Sequence, residues 1–166
     1  MPLRTYAQPQ PKPSNQEPLE FLAKEAPRYQ RIELGYGLAT KGSDRSEDAD
    51  RILPKSLEGK SVLDIGCNLG FFSIEAWRRG ATRVVGCEVN RYRLNSARRI
   101  AEILGAPVEY RRWDVERDPM EETFDYVLFL NVLHHLATPF NTLNRLIDLT
   151  REKLVNKEIE SKINIT

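Results

Sequence analysis

Residues 61–73 read SVLDIGCNLGFFS. Val62, Leu63 and Ile65 form an apolar run of strand length. Gly66, Asn68 and Gly70 interrupt it, and apolar residues then resume at helical spacing. A carboxylate, Asp64, sits inside the run, two residues before the first glycine. The reading is a buried strand, an open turn and a helix over Leu69–Arg79 that Gly80 ends.

The same rhythm continues downstream. Residues 82–88, TRVVGCE, read as a second strand. A helix follows over Asn90–Leu104, with Leu94, Ala97, Ala101 and Leu104 on one face and Gly105 closing it. Residues 108–113 and Phe124–Leu130 read as the third and fourth strands. Phe140–Thr150, after Pro139, reads as a helix, and Lys153–Ile159 as a fifth strand. Strands alternating with helices specify a mainly parallel sheet covered on both faces, a Rossmann-like, doubly wound α/β fold. Such sheets bind ligands beyond the carboxyl ends of their strands, where strand order reverses. Gly66–Gly70 lies at such an end and precedes a helix N-terminus, whose amides are available to a ligand.

Upstream, residues 1–18 hold five of the ten prolines and read as a disordered tail. Residues 19–58 form an N-terminal extension or flap. It has a short helix over Leu19–Ala26 stopped by Pro27, a strand and glycine-rich turn over 28–42, and a helix over Ser46–Leu53 capped by Ser43 or Ser46. Residues 59–166 form the core.

The chain has 166 residues, 40% of them hydrophobic, and a formal net charge of +1, so global charge points to no polyanionic partner. Two cysteines, Cys67 and Cys87, make neither a disulfide framework nor a metal site. They suit a reducing, cytoplasmic setting. No apolar run approaches the roughly 20 residues of a membrane span, and the N-terminus shows no secretory signal.

Two nucleotide-binding patterns fail. The dinucleotide fingerprint requires glycines where Asn68 and Phe71 stand, and no Gly-Lys-Ser/Thr follows the turn. The stretch instead resembles the first motif of class I S-adenosylmethionine-dependent methyltransferases, acid-x-Gly-x-x-x-Gly, here Asp64-Ile-Gly66-Cys67-Asn68-Leu-Gly70. Later strands continue the resemblance: VVGCEVN ends at Glu88 and Val89, RRWDVE holds Asp114 and Val115, and FDYVLFLNVLHHL holds Asn131. The resemblance implies a cofactor site made of Asp64, Gly66, Cys67, Asn68, Gly70, Glu88, Val89, Asp114, Val115 and Asn131. Asp64 would face the ammonium of S-adenosylmethionine, Glu88 the ribose hydroxyls, Asp114 the adenine amino group, and Asn131 would lie beneath the methyl donor. Each acid also has a plainer reading: Asp64 as a loop anchor, Glu88 as a solvated strand end, Asp114 as a turn cap. Asn68 stands where many members have glycine, and asparagine tolerates left-handed angles. The chemistry implied is direct in-line displacement with no metal.

Within the class, D-I-G-C-N-x-G-F-x-S and an upstream Y-x-x-I-x-L-x-x-G-x-x-T-x-G (Tyr29, Ile32, Leu34, Gly37, Thr40, Gly42) resemble enzymes that methylate or carboxymethylate the wobble uridine of transfer RNA. That resemblance implies an RNA acceptor, which the arginines from Arg78 to Arg112 would suit. The plainer reading of those arginines is a set of solvated faces. His134 and His135 follow the fourth strand, near where an acceptor would sit; His134 is the candidate base, and the plainer reading of the pair is a structural turn. The class fold normally adds a strand hairpin after the fifth strand, and the few residues after Lys153 leave no room for it. This implies a C-terminally shortened core whose open sheet edge a homo- or hetero-oligomeric partner would cover. The function expected is methyl transfer to an RNA base or small molecule. The alternative is a cofactor-binding, non-catalytic partner subunit.

Overall fold

The computed structural model describes residues 16–130 and 132–156. Its centre is a five-stranded, all-parallel sheet of β5 (Ser61–Ile65), β6 (Arg83–Cys87), β7 (Glu109–Arg111), β8 (Phe124–Phe129) and β9 (Thr150–Val155). The strand order is β7-β6-β5-β8-β9, so the order reverses between β5 and β8. The first strand of the core, the one quoted above, therefore borders the crevice where doubly wound sheets bind ligands.

Alternation along β5 sorts the core into two layers. Val62 faces the side covered by α3 (Phe71–Arg78) and α4 (Arg91–Leu104), with Ile74, Leu94, Ala97 and Ile100. Leu63 and Ile65 face the other side, with Val85, Val127 and Phe129, under Leu146 of α5 (Pro139–Asp148). The same period places Asp64 on the side of Val62, beneath α3. At the opposite end of the strands, Asp125 accepts from the Ser61 amide at 2.7 Å and pairs with Arg151 at 2.9 Å, pinning three strands together.

The N-terminal extension is not a separate layer. α1 (Gln16–Glu25) begins inside the stretch expected to be a disordered tail; Pro18 sits in its first turn, where a missing amide costs nothing. Residues 1–15 of that tail lie outside the described residues. β1 (Tyr29–Gln30) pairs parallel with β4 (Gly42–Ser43), and β2 (Glu33–Gly35) pairs antiparallel with β3 (Leu38–Ala39) across a turn with positive φ at Gly35, Tyr36 and Gly37. Leu19, Leu22, Ile32, Leu34, Ala49 and Ile52 join the same hydrophobic cluster as α3 and α4. So 28–42 holds a hairpin and one strand of a second pair, more pairing than its sequence suggests.

Two expected boundaries move. α2 (Ser46–Ile52) is preceded by Arg45, and Asp44, not a serine, accepts from the Ser46 amide at 2.9 Å. β9 begins at Thr150 rather than Lys153, because α5 ends at Asp148 and Leu149 turns the chain directly into the sheet. Residues 157–159 of the expected strand fall outside the described residues. Among the described residues no helix is long and apolar enough to cross a membrane.

Candidate functional site

A cleft of about 410 Å³ opens at the carboxyl ends of β5 and β8. Asp64, Gly66, Cys67, Asn68, Glu88 and Val89 line one side; Leu130, Val132 and His135 come from the chain beyond β8. Tyr29, Gln30, Arg45 and Asp48 of the N-terminal extension complete the wall.

The loop from Gly66 to Gly70 keeps its shape through three positive φ angles, 71° at Gly66, 56° at Asn68 and 85° at Gly70. Asn68 takes the left-handed angle that glycine would take with less strain. Gly66 is needed for a close approach: a Cβ there would stand 2.6 Å from Val132 Cγ2. Gly70 faces away from the cleft, and a Cβ there would lie 2.0 Å from the buried Tyr110 hydroxyl.

The loop amides do not reach out for a ligand, contrary to the sequence expectation. Gly66 and Cys67 both donate to the Cys87 carbonyl, at 2.9 and 3.0 Å. Asn68 donates to Glu88 Oε2 at 3.1 Å, and Gly70 to the Cys67 carbonyl at 2.8 Å. Leu69 and Phe71 donate to Gln30 Oε1, at 3.1 and 3.3 Å. Every amide from Gly66 to Phe71 thus has a protein acceptor, which removes the nest of free donors that phosphate-binding turns present.

What the cleft offers instead is acceptors and negative charge. Asp64 is 2% exposed and accepts from the Ser73 hydroxyl at 2.6 Å. Burial pushes its carboxyl up to about 6; the Ser73 hydrogen bonds work against that rise, and nearby Glu88 adds to it. Glu88 is 5% exposed, so it is no solvated strand end. Its Oε1 accepts from the Asn90 amide at 2.9 Å. A carboxylate has about four acceptor positions, so two bonds to amides leave capacity on both oxygens. Asn68 Oδ1 is buried with no hydrogen-bond partner. Buried acceptors are normally paired, so this oxygen has unused capacity for a donor. Cys67 and Cys87 are buried and free, and burial raises both thiols, Cys87 to about 12, so neither is a thiolate near neutral pH.

Of the other sequence-nominated residues, Asp114 is not among those lining the cleft. Its Oδ1 accepts from the Glu116 amide at 2.9 Å and its backbone carbonyl from Arg117 and Asp118, so it organises a turn. Val115 is buried in the core beneath α5, away from the cleft lining. Asn131 lies outside the described residues. In the 3-10 turn Leu133–His135 the two imidazoles lie 3.9 Å apart, tilted by 47°, and His135, not His134, lines the cleft. The chain after it is held by Glu116, which accepts from the Ala137 and Thr138 amides at 3.2 and 2.7 Å. Gln30, Arg45 and Asp48, also in the lining, have no counterpart among the residues that the sequence nominates.

Comparisons with known proteins agree with this geometry. Residues 62–153 match the family model described as "Methyltransferase domain". The chain is 43% identical over 88 residues to the ubiquinone biosynthesis O-methyltransferase of Rhizobium rhizogenes (strain K84 / ATCC BAA-868), covering 51% of this chain and 35% of that protein. It is 40% identical over 89 residues to the protein of the same name from Rhizobium etli (strain CIAT 652), covering 53% of this chain and 36% of that protein. The chain thus spans little more than a third of the length of these curated relatives. Among solved structures, the N-terminal domain of EvdMO1, determined in the presence of SAH and D-fucose, superposes with a TM-score of 0.69 at 26% identity, covering 82% of this chain and 61% of that one. That share is too large for the sheet and its helices alone, so the likeness reaches into the N-terminal extension.

Proposed function

The chain belongs to the methyltransferase domain family, and on that premise we propose that its cleft binds S-adenosylmethionine and serves methyl transfer to an oxygen of a small molecule. One observation carries the reading: two buried carboxylates, Asp64 and Glu88, line a cleft whose loop amides are all taken, and the same loop holds an amide oxygen without a partner. A phosphate ligand would meet repulsion and no free loop donors there. A cation bearing an ammonium and a ribose diol meets what it needs. Asp64 opposes the ammonium. Glu88 accepts from the diol through charge-assisted bonds. Arg45 and Arg93, both in the lining, suit the carboxylate of the amino-acid portion. Cys67 and Val89 supply apolar contact. Gly66 and Gly70 shape the loop, while Asp114 and Val115 act through the neighbouring turn and core.

When bound, the cofactor supplies a methyl group activated by positive sulfur, so the protein's task is alignment and desolvation. The acceptor hydroxyl loses a proton as its oxygen gains the methyl group. His135, at the cleft, is placed to hold that proton, in preference to His134.

Small-molecule O-methylation is favoured over the wobble uridine of transfer RNA. The matched relatives are named as O-methyltransferases of ubiquinone biosynthesis. Several arginines expected to meet phosphates are engaged elsewhere: Arg78 with Glu75, buried Arg79 with Asp50, and Arg83 and Arg111 with Glu109 and Glu122. The test is transfer of labelled methyl from S-adenosylmethionine to hydroxylated ring compounds and, separately, to transfer RNA. Label in the ring compounds, absent from RNA and lost in Asp64→Ala, is the expected result. Label in RNA alone overturns the acceptor. Cofactor binding without turnover on either would favour the non-catalytic partner subunit, and failure to bind the cofactor defeats both.

A further inference from the structure

Gln30 is a polar residue in a two-residue strand, yet it is 4% exposed. Its Oε1 crosses about 40 positions of sequence to accept from Leu69 and Phe71, the amides that open α3 and close the cofactor loop. The backbone behind it is fixed twice. The Thr40 hydroxyl donates to the Gln30 carbonyl at 2.7 Å and accepts from the Ile32 amide at 2.8 Å. Gly42 lies so close that a Cβ there would stand 2.6 Å from Gln30 N. The motif residues Thr40 and Gly42 therefore share one task, holding Gln30. Its neighbours Tyr29, Arg45 and Asp48 line the cleft with it, opposite Asp64 and Glu88.

We propose that Gln30 is a positioning residue that couples docking of the N-terminal extension to the cofactor loop, so that the loop keeps its binding geometry only while the extension is seated. The inference rests on the S-adenosylmethionine reading. Withdrawing Gln30 leaves two helix-start amides without their acceptor and frees the segment that carries Asn68 and its bond to Glu88. A neutral amide suits this position better than a carboxylate, which would bring a third negative charge beside Asp64 and Glu88.

Gln30→Met keeps the bulk and removes the strong acceptor; Gln30→Glu restores an acceptor oxygen. In the ligand-free chain, residue-resolved amide exchange at Leu69 and Phe71 should quicken about tenfold in Gln30→Met and return towards wild type in Gln30→Glu. Titrated with S-adenosylhomocysteine, Gln30→Met should bind about tenfold more weakly than wild type while still unfolding cooperatively. A purely structural role would lower the unfolding temperature and leave that affinity untouched. Wild-type exchange in Gln30→Met overturns the proposal, as does quickened exchange with unchanged affinity. If the wild-type chain binds no S-adenosylhomocysteine, the cofactor reading falls, and the exchange experiment still decides whether the lock exists.

Discussion

The two walls of the cleft are made by different means. On the β5–β6 side, Asp64, Gly66 and Asn68 lie within five residues of one strand and turn, and Glu88 directly follows the adjacent strand. On the other side, Tyr29 and Gln30 form a two-residue strand, Arg45 precedes a seven-residue helix that holds Asp48, and hydrogen bonds from Gln30 to residues about 40 positions away tie this segment to the loop. The first wall carries the chemistry in local sequence. The second contributes geometry that only tertiary packing creates.

The largest contrast should lie in stability. Gly70→Ala forces a Cβ into the buried Tyr110 ring at a left-handed angle, and should cost about 4 kcal/mol in thermal or denaturant unfolding. Gly42→Ala, on the extension, should cost about half that, because the small β1–β4 pair can part without opening the main sheet. Equal losses would mean the walls are one cooperative unit. In turnover, His135→Ala should lose about a hundredfold in kcat with cofactor affinity retained, and His134→Ala should change little. In binding, Glu88→Ala should weaken S-adenosylhomocysteine about thirtyfold by calorimetry, and Arg45→Ala about threefold, since Arg45 is partly exposed and already paired with Asp48.

A further effect is in pH. Asp64 has its carboxyl raised to about 6 in the folded chain by burial, against 3.8 for a free aspartate. The folded state therefore holds this proton more tightly than the unfolded chain. The stability the group contributes is full below about pH 4 and is lost as pH rises through about 6. A bound ammonium reverses that cost, so S-adenosylhomocysteine affinity should fall about tenfold as pH drops from about 7 to about 5. Asp64→Asn should flatten that profile, bind more weakly, and stabilise the ligand-free chain by about 2 kcal/mol at neutral pH. An Asp64→Asn chain with a wild-type pH profile would remove Asp64 from the account.

Legibility in the sequence follows the same division. The five strands, α3, α4 and the loop glycines were readable because burial on a two-faced sheet imposes patterns over a few residues, with Gly105 and Asn90 marking the ends of α4. Asp64 and Glu88 were nominated from their places in and just after core strands, and both line the cleft. Gln30 was not, because nothing local shows that a glutamine in a polar stretch will cap a helix starting at Phe71. Asp114 follows the third core strand, as its motif suggested, and the turn through Asp118 engages its carboxylate and backbone in a way no local pattern announces. The choice between His134 and His135 depends on which way a three-residue turn faces, which periodicity cannot decide.

The most direct measurement is a crystal structure of the chain soaked with S-adenosylhomocysteine. The expected result is a ligand between the ends of β5 and β8, its ribose hydroxyls on Glu88, its ammonium beside Asp64 and a donor on Asn68 Oδ1. A ligand bound elsewhere, or a ribose that leaves Glu88 untouched, would contradict it.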